Sequence, residues 1–132
     1  MSVITIAAAL LHDEAGRLLL VRKRNTQAFM QPGGKIEPGE TPQAALLREI
    51  AEELGIEPEA SSCTFLERIE APAANEPGHI VRADLFVLRW SGPVAIAAEI
   101  EEALWVTPEE AQYLPLAPLT RDCVLPLFSL IA

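Results

Sequence analysis

With 132 residues, half of them apolar and 22% charged, the chain has nonpolar material for one core, and its 7 Gly and 11 Pro are too few for a collagen-like or low-complexity protein. Ten basic against 19 acidic residues give a formal charge of −9, which repels a phosphate backbone and excludes duplex nucleic acid as an expected partner. A single domain over residues 1–132 is expected.

In chain order, Val3–His12 and Arg17–Lys23 read as strands around the turn Asp13-Glu14-Ala15-Gly16. The apolar stretch Val3–Leu11 lacks the preceding basic residues of a secretion signal and is too short to span a bilayer, so a cytoplasmic protein without membrane association is expected. Arg24–Gln31 is irregular, and between Pro32 and Gly39 neither helix nor strand is expected to persist. Thr41-Pro42 then supplies an N-cap and a first helical residue, nothing breaks the helix from Gln43 to Leu54, and Gly55 stops it. Cys63–Ile69 and Ile80–Trp90 read as strands separated by a loop over Ala71–Gly78. Ser91-Gly92-Pro93 is a turn, Leu104–Val106 a short strand, and Thr107-Pro108-Glu109-Glu110 a capping box opening a short helix. The tail Pro118–Ile131 has near-helical apolar spacing, with Pro126 expected to kink or break it. Cys63 and Cys123 read as buried thiols in a reducing compartment.

The chemistry concentrates between Gly34 and Ile56. On the first helix Glu49, Glu52 and Glu53 fall at i, i+3 and i+4, so three carboxylates share one stripe, beside the apolar stripe of Leu46, Leu47, Ile50 and Leu54. Like charges on adjacent turns repel, and a hard divalent cation such as Mg2+ or Mn2+ removes the conflict; Mg2+ typically brings a phosphate-bearing ligand. Gly33 and Gly34 allow close backbone approach to such a ligand beside the helix N-terminus. Arg48 precedes Glu52 by four residues and is placed to orient it, and Glu40 is placed to tie the loop to the helix. Arg22, Lys23, Arg24 and Lys35 flank this segment as candidate phosphate-binding cations.

Gly34, five residues, Glu40, seven residues, then Arg48-Glu49-Ile50-Ala51-Glu52-Glu53-Leu54-Gly55-Ile56 resembles a complete Nudix box, the signature of Nudix hydrolases, and Pro32–Ile56 is especially similar to the MutT-like branch. The resemblance implies an α/β (α+β) fold, a mixed sheet sandwiched between helices, and hydrolysis of a nucleoside diphosphate linked to another group. By the same resemblance Glu49, Glu52 and Glu53 bind Mg2+, the Gly33 carbonyl helps to hold a metal, and Arg48, Gly34 and Glu40 support the site. Family members often add an acidic residue from a loop outside the box; Glu99 is similar in placement and Glu102 is the reserve. The general base is split between Glu49 and Glu99.

The expected reaction is Mg2+-dependent cleavage of a nucleoside triphosphate to monophosphate and pyrophosphate by activated water. Pro72, 16 residues after Ile56, resembles the spacing of ADP-ribose-cleaving relatives and keeps ADP-ribose or a nucleotide sugar as alternatives. A nucleotide-binding module without turnover is the non-enzymatic alternative, and isoprenoid diphosphate isomerisation is less favoured. The partner is a small nucleotide, the protein a monomer or homodimer. His12 and His79 lack partners at ligand spacing, and Phe29, Phe86, Trp90 and Trp105 read as core rather than base-stacking residues.

Overall fold

The computed structural model describes residues 2–73 and 76–131. Its strands are β1 (Ser2–His12), β2 (Leu18–Lys23), β3 (Gly33–Lys35), β4 (Cys63–Pro72), β5 (His79–Arg89) and β6 (Ile100–Val106); its helices are α1 (Pro42–Leu54), α2 (Pro108–Ala111) and α3 (Leu125–Ile131). All six strands form one mixed sheet of order β4-β5-β1-β2-β6, with β3 pairing the N-terminal half of β1. The β1–β5 pair is parallel and the others antiparallel.

Strand alternation sorts the central residues onto two faces. Ala7, Ala9, Leu11, Leu19 and Val21 pack with Leu46, Ile50 and Leu54 of α1, while Ala8, Leu10, Leu18, Leu20 and Leu85 pack with Val124 and Phe128 on the other side. This is why the sequence of β1 reads as a continuous apolar run: both faces of its inner half are covered. Phe29 and Phe86 are core residues, and Trp90 and Trp105 pack partly buried against the α1-side cluster.

Helix α1 has the expected ends. The Thr41 hydroxyl accepts from the Ala44 amide at 3.1 Å, and Gly55 adopts φ 68° while its N–H donates to Ala51. Three expectations need correction. Residues 33–35 are not free of regular structure: they pair with Ile6, Ala7 and Ala8, because Gly33 lacks the Cβ that would collide with the Ala7 carbonyl. Strand β6 begins at Ile100 rather than Leu104, its glutamates tolerated on a sheet edge where side chains reach water. The loop expected over Ala71–Gly78 is shorter, since Ala71 and Pro72 belong to β4 and pair with Val81 and Ile80; residues 74 and 75 of that loop lie outside the described residues.

The tail is helical through Pro126. A π-type turn over Thr120–Val124 runs into α3, with the Leu125 N–H reaching back to Thr120, so the wider turn accommodates the proline instead of breaking the helix. Among the described residues no helix is long and apolar enough to cross a membrane, and both cysteines are free, Cys63 buried and Cys123 half-buried.

Candidate active site

One face of α1 opens onto a cavity of about 440 Å³ whose wall carries Glu49, Glu52, Glu53, Glu99, Lys23 and Lys35. The helix supplies the first three carboxylates by its own periodicity. Lys23 arrives from the end of β2, where alternation puts it on the α1 side with Leu19 and Val21.

Glu99 arrives from the segment before β6, which is tied to the C-terminal turn of α1 by bonds from the Ala95 and Ala97 amides to the Leu54 and Glu53 carbonyls, both 2.9 Å. A register shift beside Arg22 and Lys23 skips Glu101, so Lys23 faces Ile100, and its ammonium lies 3.7 Å from the Glu99 carboxylate. The segment carrying Glu99 therefore already lies against the end of α1.

Arg48 organises the entrance. Its guanidinium donates to both oxygens of Glu40, at 2.7 and 2.8 Å, to Glu49 at 3.1 Å and to the Lys35 carbonyl at 3.2 Å, and it lies 3.7 Å from Glu52. The fork holds the Glu40 carboxyl down at a pKa of about 2, helped by the Glu37 amide. A single arginine thus joins the glycine-rich loop, the start of the helix and the acidic stripe.

Glu53 is the buried member, only 5% exposed. Burial, then the neighbouring Glu49 charge, pushes its pKa up to about 8, against the Gly33 N–H donated to it at 3.4 Å and the Lys23 ammonium. Burial also raises the Glu49 pKa, opposed by Arg48. A buried carboxyl ringed by other carboxylates and short of donors suits a hard cation, whose charge reverses this penalty. Gly34 adds a second sign of fit, because the Glu49 carboxyl fills the place of its missing Cβ. Among the described residues no three such ligands already converge as a metal cluster; Arg48 holds Glu49 and lies near Glu52, so binding an ion requires these side chains to reorient.

Other predicted residues fall elsewhere. Arg22 lies on the α3 side, donating to Glu102 at 3.2 Å and to the Thr26 carbonyl at 2.8 Å, and Arg24 donates to the Ala98 carbonyl and lies 3.7 Å from Glu101. Neither lines the acidic cavity, and neither does Glu102. His12, its ring tilted against that of Phe128, and His79, opening β5, also lie outside it. The structure adds Glu37 and Glu76 to the wall, the first from the loop before α1 and the second from the β4–β5 connection. Glu37 and Glu76 each stand in a Pro- and Gly-containing loop with no pattern to mark them.

Comparison with known proteins agrees with this geometry. Residues 2–128 match the family model of the NUDIX domain. The CTP pyrophosphohydrolase of Escherichia coli is 33% identical over 122 residues, 89% of this chain and 86% of its own. The 8-oxo-dGTP diphosphatase of the same bacterium is 36% identical over 97 residues, 70% and 71% of the two chains. A MutT NUDIX hydrolase from Burkholderia pseudomallei superposes with a TM-score of 0.80 at 26% identity, over 96% of this chain and 98% of its own. The chain belongs to the NUDIX domain family, in its MutT-like branch, and is a hydrolase acting on phosphoric anhydrides.

Proposed function

We propose that the protein is a Mg2+-dependent pyrophosphohydrolase that cleaves nucleoside triphosphates to monophosphate and pyrophosphate, with Mn2+ as a substitute ion. The observation that carries this reading is the gathering of Glu49, Glu52, Glu53 and Glu99 on one cavity with two lysines. The similarity to relatives named for CTP and 8-oxo-dGTP supports it from outside the site.

Glu49, Glu52 and Glu53, with the Gly33 carbonyl, would hold the metal. When bound, the ion offsets phosphate charge and acidifies water at the site. Lys23 and Lys35, on the wall of the same cavity, bind outer phosphate oxygens. Arg22 and Arg24 are left out of that role, since neither lines this cavity. A carboxylate then removes the proton from the attacking water; Glu99, tethered at the cavity mouth by Lys23, takes this role ahead of Glu49, which Arg48 restrains. A single domain, monomeric or homodimeric, in the cytoplasm completes the reading.

Purified protein assayed with Mg2+ and with Mn2+ against nucleoside triphosphates, ADP-ribose, nucleotide sugars and dinucleoside polyphosphates tests it. Release of monophosphate and pyrophosphate from a triphosphate is expected. Cleavage of ADP-ribose alone moves the substrate to the alternative class, and tight nucleotide binding without turnover converts the protein into a binding module.

A further inference from the structure

Beside the acidic cavity lies a second, smaller one of about 130 Å³, which shares Lys23, Gly34, Lys35 and Glu76 with it. Its apolar wall comes from Ile4, Ile6, Ala8, Met30 and Val81, and its polar member from within the core is Gln31. A small apolar slot next to a phosphate-handling site has room for one flat ring system rather than a whole nucleotide.

Gln31 is not a free surface side chain. It is 6% exposed, and its amide oxygen accepts a 2.6 Å hydrogen bond from the hydroxyl of Thr120, itself fully buried. Two features fix the partners. Residues 29–31 are strung between β2 and the segment 115–117 by bonds of 2.8 to 2.9 Å involving Phe29 and Met30. Thr120 opens the π-type turn before α3, a local widening of the helix that aims its hydroxyl inward. With its oxygen engaged, the amide of Gln31 has its two N–H donors left over, and among the described residues they have no protein acceptor.

We infer that Gln31, oriented by Thr120, is the specificity-determining residue of this slot, donating a hydrogen bond to a ring carbonyl of the substrate base. This rests on the nucleotide reading of the adjacent site. It narrows the substrate class to nucleotides with a carbonyl-bearing base, guanine, cytosine, uracil or an oxidised derivative, and disfavours adenine, which has no ring carbonyl and presents an amino donor where guanine presents O6. A donor held where adenine presents its own amino donor, and guanine an acceptor, is what makes such a site selective.

The test measures kcat/KM for GTP, ITP, CTP, UTP and ATP with Mg2+, and calorimetric affinity for GMP, CMP and AMP, in wild type, Gln31→Met, Thr120→Val and the double variant. The best carbonyl-bearing substrate is expected to exceed ATP by at least about tenfold in wild type. Gln31→Met should bring that ratio to within about threefold of unity, and Thr120→Val should lower it by freeing the amide to turn. The double variant removes both halves of the buried pair, so it keeps the measurement possible where a single change leaves an unsatisfied group and fails to fold. Wild type using ATP as well as the others, or a preference that survives in the double variant, overturns the inference. Absence of triphosphate turnover refutes the pyrophosphohydrolase reading instead, and the same preference among the monophosphates, or its absence, then decides this one.

Discussion

The carboxyl of Glu49 occupies the space that a Cβ at Gly34 would fill. Backbone conformation does not demand glycine there, because Gly34 is not among the residues of positive φ; the demand comes from the side chain opposite. Gly34→Ala should therefore fold but displace Glu49. A misplacement of this kind costs on the order of a hundredfold in turnover, so kcat/KM should fall by about that factor while the circular dichroism spectrum stays that of wild type. Wild-type kcat/KM in this variant would show that Glu49 has no fixed position to lose.

Glu53 links the site to stability. Its pKa in the folded protein, about 8, stands above the ordinary glutamate value of 4.5, so the unfolded chain ionises first as pH rises. Its contribution is fully present below about 4.5 and is lost progressively as pH rises through about 8. In the presence of a chelator, wild type should melt at a lower temperature at pH 8.5 than at pH 5, with a smaller difference for Glu53→Gln. Parallel melting curves for the two proteins across this range would refute the charge penalty.

Metal addition should invert that order. Mg2+ is expected to raise the melting temperature of wild type more than that of Glu53→Gln, because a ligand stabilises only the state that binds it. Turnover by Glu53→Gln should fall by about two orders of magnitude or more. Equal thermal shifts count against Glu53 as a ligand whatever the activity shows.

The Arg48–Glu40 fork makes a separate prediction. Glu40, held at about 2, contributes stability above the ordinary value of 4.5 and loses it as pH falls through about 2. Glu40→Gln should flatten the acid limb of the melting curve over that window. Arg48→Lys should be worse for activity than its conserved charge suggests, by about tenfold or more, because an ammonium cannot hold both oxygens of Glu40 while also reaching Glu49. An Arg48→Lys enzyme with wild-type kcat makes the fork dispensable.

These residues also show where reading the sequence reaches its limit. Helix α1, with its Thr41 cap, its Gly55 stop and its stripe of glutamates, was legible because every one of those signals is local. The contrast between Lys23 and Arg22 was legible in principle, since alternation along β2 sends adjacent side chains to opposite faces, but only the sheet register shows which face holds the acids. Strand β3 was hidden because its glycines look like loop residues until β1 supplies the partner they must approach closely. Glu76 and the Gln31–Thr120 pair, 89 residues apart, depend on contacts that no local pattern encodes.

Glu99 is the last residue to test and the one on which the mechanism turns. It is exposed, sits 3.7 Å from Lys23, and reaches the cavity because the bulge in β6 and two amide bonds to the end of α1 hold its segment there. A group that removes a proton in the transition state acts on the barrier rather than on binding, so Glu99→Gln should lower kcat by about a hundredfold or more while KM changes little. Two neighbours serve as controls. Glu101, skipped by the register shift and lying 3.7 Å from Arg24, should tolerate the same change within a few-fold, and Glu102, bonded to Arg22 outside the cavity, should do likewise. If Glu99→Gln keeps nearly full kcat and Glu102→Gln is inactive, the loop acid is Glu102 and Arg22 must release it during turnover. If neither change matters, the base belongs to α1, and Glu49, whose restraint by Arg48 would then be part of its tuning, is the residue to replace next.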